Sequence, residues 1–121
     1  MDEVITLEKP IPILRIFDED KAKDFYFNFL EFKLDWEHRY EDKFPLYMQI
    51  SKGPCVIHLS EHHGDCSPGG ALRIGVNQIE LLQQKLLAKK YKFARPGLNQ
   101  PNEEVIVTDP FYNKLIFYKI K

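Results

Sequence analysis

Residues 12–36 read PILRIFDEDKAKDFYFNFLEFKLDW, and the change of period inside this stretch decides the fold. Ile11 to Phe17 is a short apolar run rich in Ile, the composition of a strand, and Pro10 and Pro12 bracket its start, as suits an edge. Asp18 offers a helix N-cap. Ala22, Phe25, Tyr26, Phe29 and Leu30 then recur at i, i+3, i+4, i+7 and i+8, which is one apolar stripe of an α-helix. From Phe32 to Glu41 the period drops to two. Phe32, Leu34, Trp36, His38 and Tyr40 share one face, and Lys33, Asp35, Glu37, Arg39 and Glu41 the other, as in a strand with one wet face.

Two more strands follow, Pro45 to Ser51 and Pro54 to Ser60, joined at Lys52-Gly53. The first half therefore reads β-α-β-β-β, and the second half repeats the order. Ala71 to Val76 is a strand. Asn77 and Glu80 form a capping-box pair for a helix whose stripe is Ile79, Leu82, Leu86 and Leu87. Tyr91 to Ala94 is a short strand, RPGLNQPNEE a polar loop, and Glu104 to Thr108 with Lys114 to Lys119 a hairpin around Asp109-Pro110-Phe111-Tyr112-Asn113. The run from Lys89 to Lys92 reads as a solvated helix end. The repeat is about fifty residues long. Module one covers about 11–60, a linker 61–70, and module two about 71–119, within one domain spanning 1–121.

The 121 residues suit one domain with a real core, and 44% apolar with 29% charged residues is the balance of a soluble globular chain. A net charge of −1 and the lack of a long Lys/Arg run argue against nucleic acid as a partner. The opening MDEVITLEKP lacks the apolar run of a signal peptide, and no stretch approaches the roughly 20 apolar residues that span a bilayer. No membrane association is expected. Cys55 and Cys66 fit neither a CxxC word nor a disulfide scaffold, so a reducing cytoplasm is the expected location.

Two βαβββ modules resemble the vicinal oxygen chelate superfamily, which includes glyoxalase I, extradiol dioxygenases and bleomycin-resistance proteins. The words that carry the resemblance are the quoted opening, SPGGALRIGV and TDPFYNKLIFY. Two places depart from the family's words. Leu30-Glu31-Phe32 lacks the usual central Gly, and Tyr112 stands where Gly is usual in the D-P-x-G-N hairpin. Pro12 and the pair Asp35-Trp36 are most similar to the bleomycin-resistance proteins. The resemblance implies an α+β fold, the glyoxalase/bleomycin-resistance fold, and an arm-exchanged homodimer whose clefts bind a small molecule, aromatic or bleomycin-like.

The resemblance also implies four metal-ligand positions. They fall on Ile11, His58, Ala71 and Ile116, and only His58 can ligate an ion. The neighbouring word HLSEHHGD (58–65) adds His62, His63 and Asp65, but His58 lies in a strand and His62 in a loop, so the spacing does not chelate as it does on a helix. No metal and no cofactor are expected. Arg15 and Arg73 interrupt apolar strands of the two modules and share the parity of the cleft face, either to hold an anion or to pair within the chain. Trp36 and Tyr47 suit a planar ligand, or core packing. The residues expected at the ligand are Arg15, Trp36, His38 and Tyr47 in module one, His58 and Glu61 at its end, and Arg73 and Tyr118 in module two. The expected function is ligand sequestration without catalysis. The alternative is a metal-dependent lyase or dioxygenase with a non-standard ligand set around His58 and Glu61.

Overall fold

Strand and helix propensity alternate along the chain, and the apolar faces they create close on one another in a computed structural model that describes residues 3–89, 97–99 and 103–120. The elements are β1 (Ile13–Arg15), α1 (Glu19–Lys23) continued by a π-helical segment (Asp24–Phe29), β2 (Lys33–His38), β3 (Tyr47–Lys52) and β4 (Cys55–Ser60). They are followed by β5 (Ala71–Val76), α2 (Ile79–Ala88), β6 (Gly97–Asn99), β7 (Glu104–Thr108) and β8 (Lys114–Lys119). Two four-stranded sheets result, ordered β1-β4-β3-β2 and β5-β8-β7-β6. Strand β1 is parallel to β4 and β5 to β8, while the remaining pairs are antiparallel. This is the α+β glyoxalase/bleomycin-resistance fold.

One face of each sheet feeds the core. Leu14, Ile16, Met48, Ile50, Ile57 and Leu59 are buried in the first module, Val105, Val107, Leu115 and Phe117 in the second. The first-helix stripe lies wholly inside, since Ala22, Phe25, Tyr26, Phe29 and Leu30 are all buried. Asp18 caps this helix, with its Oδ1 accepting from the Lys21 amide at 2.9 Å.

Four local expectations are corrected. The first helix is α-helical for five residues only, and the Leu30 amide then reaches back to the Phe25 carbonyl at 3.0 Å, the i→i−5 bond of a π-turn. The wider turn brings three large rings inward together, with Phe25 4.9 Å from Tyr26 and 5.3 Å from Phe29. The second helix is capped at Gln78 without a side-chain bond, so Asn77 and Glu80 form no capping box. Gly97–Asn99 is a strand inside the stretch read as a loop; three residues are too few to display a period, but they pair with β7. Lys89 is tied down, with its Nζ 2.6 Å from Glu31 and 2.7 Å from the Asn28 carbonyl, and so joins the end of α2 to module one. The strand expected over Tyr91–Ala94 lies outside the described residues.

A buried polar knot fastens the modules to each other. The Asp109 carboxylate accepts from the Tyr26 hydroxyl at 2.7 Å, from the Phe111 and Asn113 amides at 2.8 Å each, and from Asn113 Nδ2 at 2.8 Å. Asn113 Nδ2 also donates to the Arg15 carbonyl at 2.7 Å, and Asn113 Oδ1 accepts from the Gly70 amide at 3.0 Å. The knot thus joins the β7–β8 hairpin to the first helix, to β1 and to the linker. Burial still pushes the Asp109 carboxyl up, against the pull of these donors.

The same hairpin explains a departure from the family's word. Tyr112 has φ 70° and is 78% exposed, so it holds a left-handed conformation with little packing in return. Glu31, at the other missing Gly, has φ 64°, and it gains an ion pair with Lys89.

Tyr26→Phe is expected to cost about 1–3 kcal/mol, because it strips a donor from a buried carboxylate. Asp109→Ala is expected to cost more, since it leaves Tyr26, Asn113 and two amides without their acceptor. Urea unfolding measures both. Tyr112→Gly is expected to raise stability by about 1 kcal/mol through relief of the left-handed backbone, read as a higher urea midpoint at unchanged slope.

Candidate functional site

The sheet register assembles a surface on the face of the first sheet turned away from the helices. Arg15 pairs with Ser60, Ser60 with Tyr47, and Tyr47 with His38. One pleat away, Ile13 pairs with His58, His58 with Gln49, and Gln49 with Trp36. Directly opposed residues in a sheet point to the same face, and Leu14, Ile57, Leu59, Met48 and Ile50 occupy the buried one. Two rungs, Arg15–Ser60–Tyr47–His38 and Ile13–His58–Gln49–Trp36, therefore point away from the core, and in the first of them Ser60 is itself buried, bonded to Asp65 and to the His62 amide.

A register shift between Leu34 and Trp36 sets what β2 contributes. Leu34 pairs with buried Ile50 and Trp36 with Gln49, so Leu34 and Trp36 lie on opposite faces, not on one as strict alternation predicts. The extra residue is Asp35, which joins the open face and accepts from Gln49 Nε2 and Ser51 Oγ at 3.0 Å each. Both donors hold its carboxyl below the usual range, Gln49 most strongly.

From this acceptor a one-way hydrogen-bond chain follows. Ionised Asp35 only accepts, so Gln49 turns its amide NH₂ toward it and its Oε1 toward His58. His58 Nε2, 2.9 Å from that oxygen, carries the hydrogen. His58 Nδ1 is then bare and accepts from the Tyr47 hydroxyl at 2.6 Å. Both ring nitrogens are in use, and burial holds the ring's pKa down. Gln49 and Ser51 were not singled out from sequence, although they share the parity of Tyr47 on β3.

Around this chain lies an aromatic cluster. The Trp36 and Tyr47 rings are 6.0 Å apart and within 11° of parallel. The His58 ring stands edge-on to both, at 5.4 and 5.2 Å, and His62 is 6.3 Å from Tyr47. Trp36 remains 44% exposed. His38 is exposed beside Tyr40 at 5.2 Å.

The charged candidates separate. Arg15 stacks its guanidinium over Phe17 at 4.8 Å, and its Nη1 is buried without a hydrogen-bond partner. Arg73 is paired with Glu104 at 3.0 Å and lies over Tyr118 at 4.8 Å. Gly75, opposite Tyr118 in register, leaves room for Ile120 first and for this ring second, since a Cβ there would meet Ile120 Cγ2 at 2.5 Å and the ring at 3.3 Å. Glu61 is spent at the strand end, where its Oε1 accepts from the Leu46 amide at 2.9 Å and lies 3.8 Å from Arg39. The two arginines are not equivalent in the repeat. Counted back from the first helical residues, Glu19 and Ile79, Arg15 matches Gly75 and Arg73 matches Ile13.

The register also moves the positions read as metal-ligand sites. Ile13, not Ile11, sits beside His58, and Arg73, not Ala71, beside Ile116. Among the described residues, no three His, Cys, Asp or Glu side chains gather in a group that can hold a metal ion. Cys55 and Cys66 are free, and burial raises both thiols. Cavities of about 570 Å³, between Asp24 and Tyr112, and about 530 Å³, between Phe32 and Leu82, lie off this face. The trough along Trp36, Tyr47 and His58 borders neither.

The His58 ring makes stability depend on pH. Its folded value is lowered from 6.5, so the unfolded chain takes up this proton first as the pH falls. The contribution is complete above pH 6.5 and is lost below it, as the pH descends through the folded ring's lower value. Urea midpoints at about pH 7.5 and about pH 5.5 should therefore drop further in the wild type than in His58→Gln. An equal drop in both assigns the loss to other groups.

Known proteins share this architecture. No curated protein sequence matches the chain. A copper(II)-bleomycin complex of the bleomycin-binding protein from bleomycin-producing Streptomyces verticillus superposes with a TM-score of 0.69 at 18% identity, over 98% of this chain and 100% of that one. An antibiotic binding protein from Streptomyces sp. CB03234 gives 0.70 at 17%, over 97% and 100%. The trypanothione-dependent glyoxalase I of Leishmania major gives 0.69 at 16%, over 93% and 87%. At these identities the likeness is one of fold. The family model described as "Glyoxalase superfamily protein" matches residues 1–121. With two βαβββ sheets, the Asp109–Asn113 hairpin knot and this full-length match, the chain belongs to the glyoxalase superfamily.

Proposed function

We propose that the chain is a small-molecule-binding protein of the bleomycin-resistance kind, which sequesters its ligand in clefts between two copies of itself without a metal. The observation that carries this reading is the near-parallel Trp36–Tyr47 pair, presented on an open face and backed by a histidine whose two nitrogens are already bonded. Such a surface offers stacking area with a fixed polar floor, the makeup of a ligand site. A metal ligand needs a free nitrogen lone pair, and His58 spends its own on Tyr47. Structural neighbours that bind bleomycin and another antibiotic support the same class.

What the single chain leaves uncovered supports a second copy as the partner. Val4, Ile5 and Leu7 on the N-terminal arm are 85%, 88% and 88% exposed. Burying each such side chain is worth about 1.5–3 kcal/mol. A second copy that takes up the arm also supplies the missing wall of the trough. Arg15 on this face, with a net charge of −1 overall, disfavours a strongly cationic drug such as bleomycin itself.

Two measurements test the reading. Sedimentation should show a species of twice 14.3 kDa. Trp36 is the chain's one tryptophan, so its fluorescence reports the site directly. Uncharged naphthamide and phenazine carboxamide should quench it saturably, and Tyr47→Ala should weaken them by about tenfold, the weight of one lost aromatic contact with its buried area. No quenching at high micromolar concentration, or a stoichiometric metal in the purified protein that His58→Ala loses, overturns the proposal.

A further inference from the structure

Asp35 and the Tyr47 hydroxyl lie at opposite ends of one hydrogen-bond chain, with the Gln49 and His58 side chains between them. The two middle members have no sense of their own. A primary amide can turn either its oxygen or its NH₂ to a neighbour, and a neutral imidazole can carry its hydrogen on either nitrogen. The sense is fixed at the Asp35 end. There each carboxylate oxygen takes a donor at 3.0 Å, Gln49 Nε2 on Oδ2 and Ser51 Oγ on Oδ1, and these two donors hold the carboxyl in its ionised form.

At the other end the Tyr47 phenol keeps its hydrogen, because burial and then the charge of Asp65 push its pKa up. That hydrogen goes to His58 Nδ1 at 2.6 Å. Tyr47 is half-buried beside Trp36, and Asp65, the source of that charge, is exposed. A ring stacked on the Trp36–Tyr47 pair thus meets a phenol oxygen that has no hydrogen left to give, with a negative charge in its neighbourhood. A donor on the ring's edge completes that oxygen. An acceptor there leaves two acceptors facing each other with no hydrogen between them, a mismatch that weakens binding.

We propose that Asp35 is a specificity-determining residue: by fixing the sense of the chain it makes the trough select planar aromatic molecules that carry a hydrogen-bond donor on the ring edge, a phenol or an aryl N–H, over those that carry an acceptor. This rests on the reading of the open face as a small-molecule site, and adds the edge chemistry of the ligand and the residue that sets it through Gln49 and His58.

Asp35→Asn tests the relay because it replaces one carboxylate oxygen by NH₂. The remaining oxygen stays with Ser51 and the NH₂ faces Gln49. Gln49 then turns over and donates to His58 Nε2, His58 donates from Nδ1 to Tyr47, and the phenol hydrogen is released to the trough. Calorimetry at about pH 7.5, where Asp35 is ionised and His58 neutral, compares naphthol, its methyl ether and quinoline. Naphthol should bind about threefold to tenfold tighter than the ether, the reach of one neutral hydrogen bond, with quinoline weakest. In Asp35→Asn the naphthol-to-quinoline ratio should fall by about tenfold. Taking the ratio within each protein cancels any shared loss of folding or affinity. Nitrogen NMR of histidine-labelled protein, with the His58 signals identified by their absence from His58→Gln, reads the chain itself. The hydrogen should sit on Nε2 in the wild type and move to Nδ1 in Asp35→Asn, a change that loosening of the fold does not produce. A wild-type naphthol-to-quinoline ratio near one, with all three probes binding, overturns the donor preference and leaves the small-molecule site intact. No binding of any probe overturns both. An Asp35→Asn ring that keeps its hydrogen on Nε2, or a moved hydrogen with an unchanged ratio, overturns the control by Asp35.

Discussion

The Asp109 carboxylate is the constraint on which the rest of the structure depends. It sits 4% exposed at the head of the β7–β8 hairpin and takes four hydrogen bonds, one of them from the Tyr26 hydroxyl of the first helix. It serves both modules. The hairpin turn needs the Phe111 and Asn113 amides satisfied, and the π-helical segment needs a buried partner for Tyr26, which is 0% exposed. Asn113 extends the same knot to the linker through Gly70 and to β1 through the Arg15 carbonyl. The backbone of β1 beside the open face is therefore fastened by the residue that fastens the modules. Orientation at the open face and integrity of the fold share one set of bonds.

The open face shows what this chain places around a position where the family resemblance puts a metal ligand. Its His58 occupies a place where the family resemblance puts a metal ligand, yet it sits inside a chain of side-chain hydrogen bonds from Tyr47 to Asp35. The apolar neighbour Ile13 supplies no donor beside it. What the face offers there is ring area, from Trp36 and Tyr47, which the proposed function takes as its recognition element. Their spacing is fixed by strand pairing, which is stiffer than any loop.

Periodicity carried most of the architecture. Strands β5, β7 and β8 run as read, and so does the buried stripe from Ala22 to Leu30, because strong one-face patterns leave little choice of register. The sheet parity of Arg15, Tyr47 and His58 was legible for the same reason. The bulge at Asp35 was not, since an extra residue in a strand leaves no mark in an alternating sequence and reverses every assignment on one side of it. It carried Leu34 to the buried face and brought Asp35 beside Gln49. The fate of Glu61 was equally hidden, because its partner is the amide of Leu46, a group that every residue carries. Arg15 and Arg73 looked alike in sequence, yet they stand at different places in the repeat, and among the described residues only Arg73 has a carboxylate partner, Glu104.

The direction of the hydrogen-bond chain on the open face has a consequence for what a ligand can offer. Each donor from Tyr47 through His58 and Gln49 points toward Asp35, and the order cannot reverse while Asp35 is ionised. The Tyr47 hydroxyl has thus spent its only hydrogen inside the protein, and what remains at its oxygen is lone pairs. Seen from the trough, the phenol is a pure acceptor. A molecule bound there as proposed would have to bring the hydrogen for any bond to that oxygen, so the face would read its orientation as well as its shape.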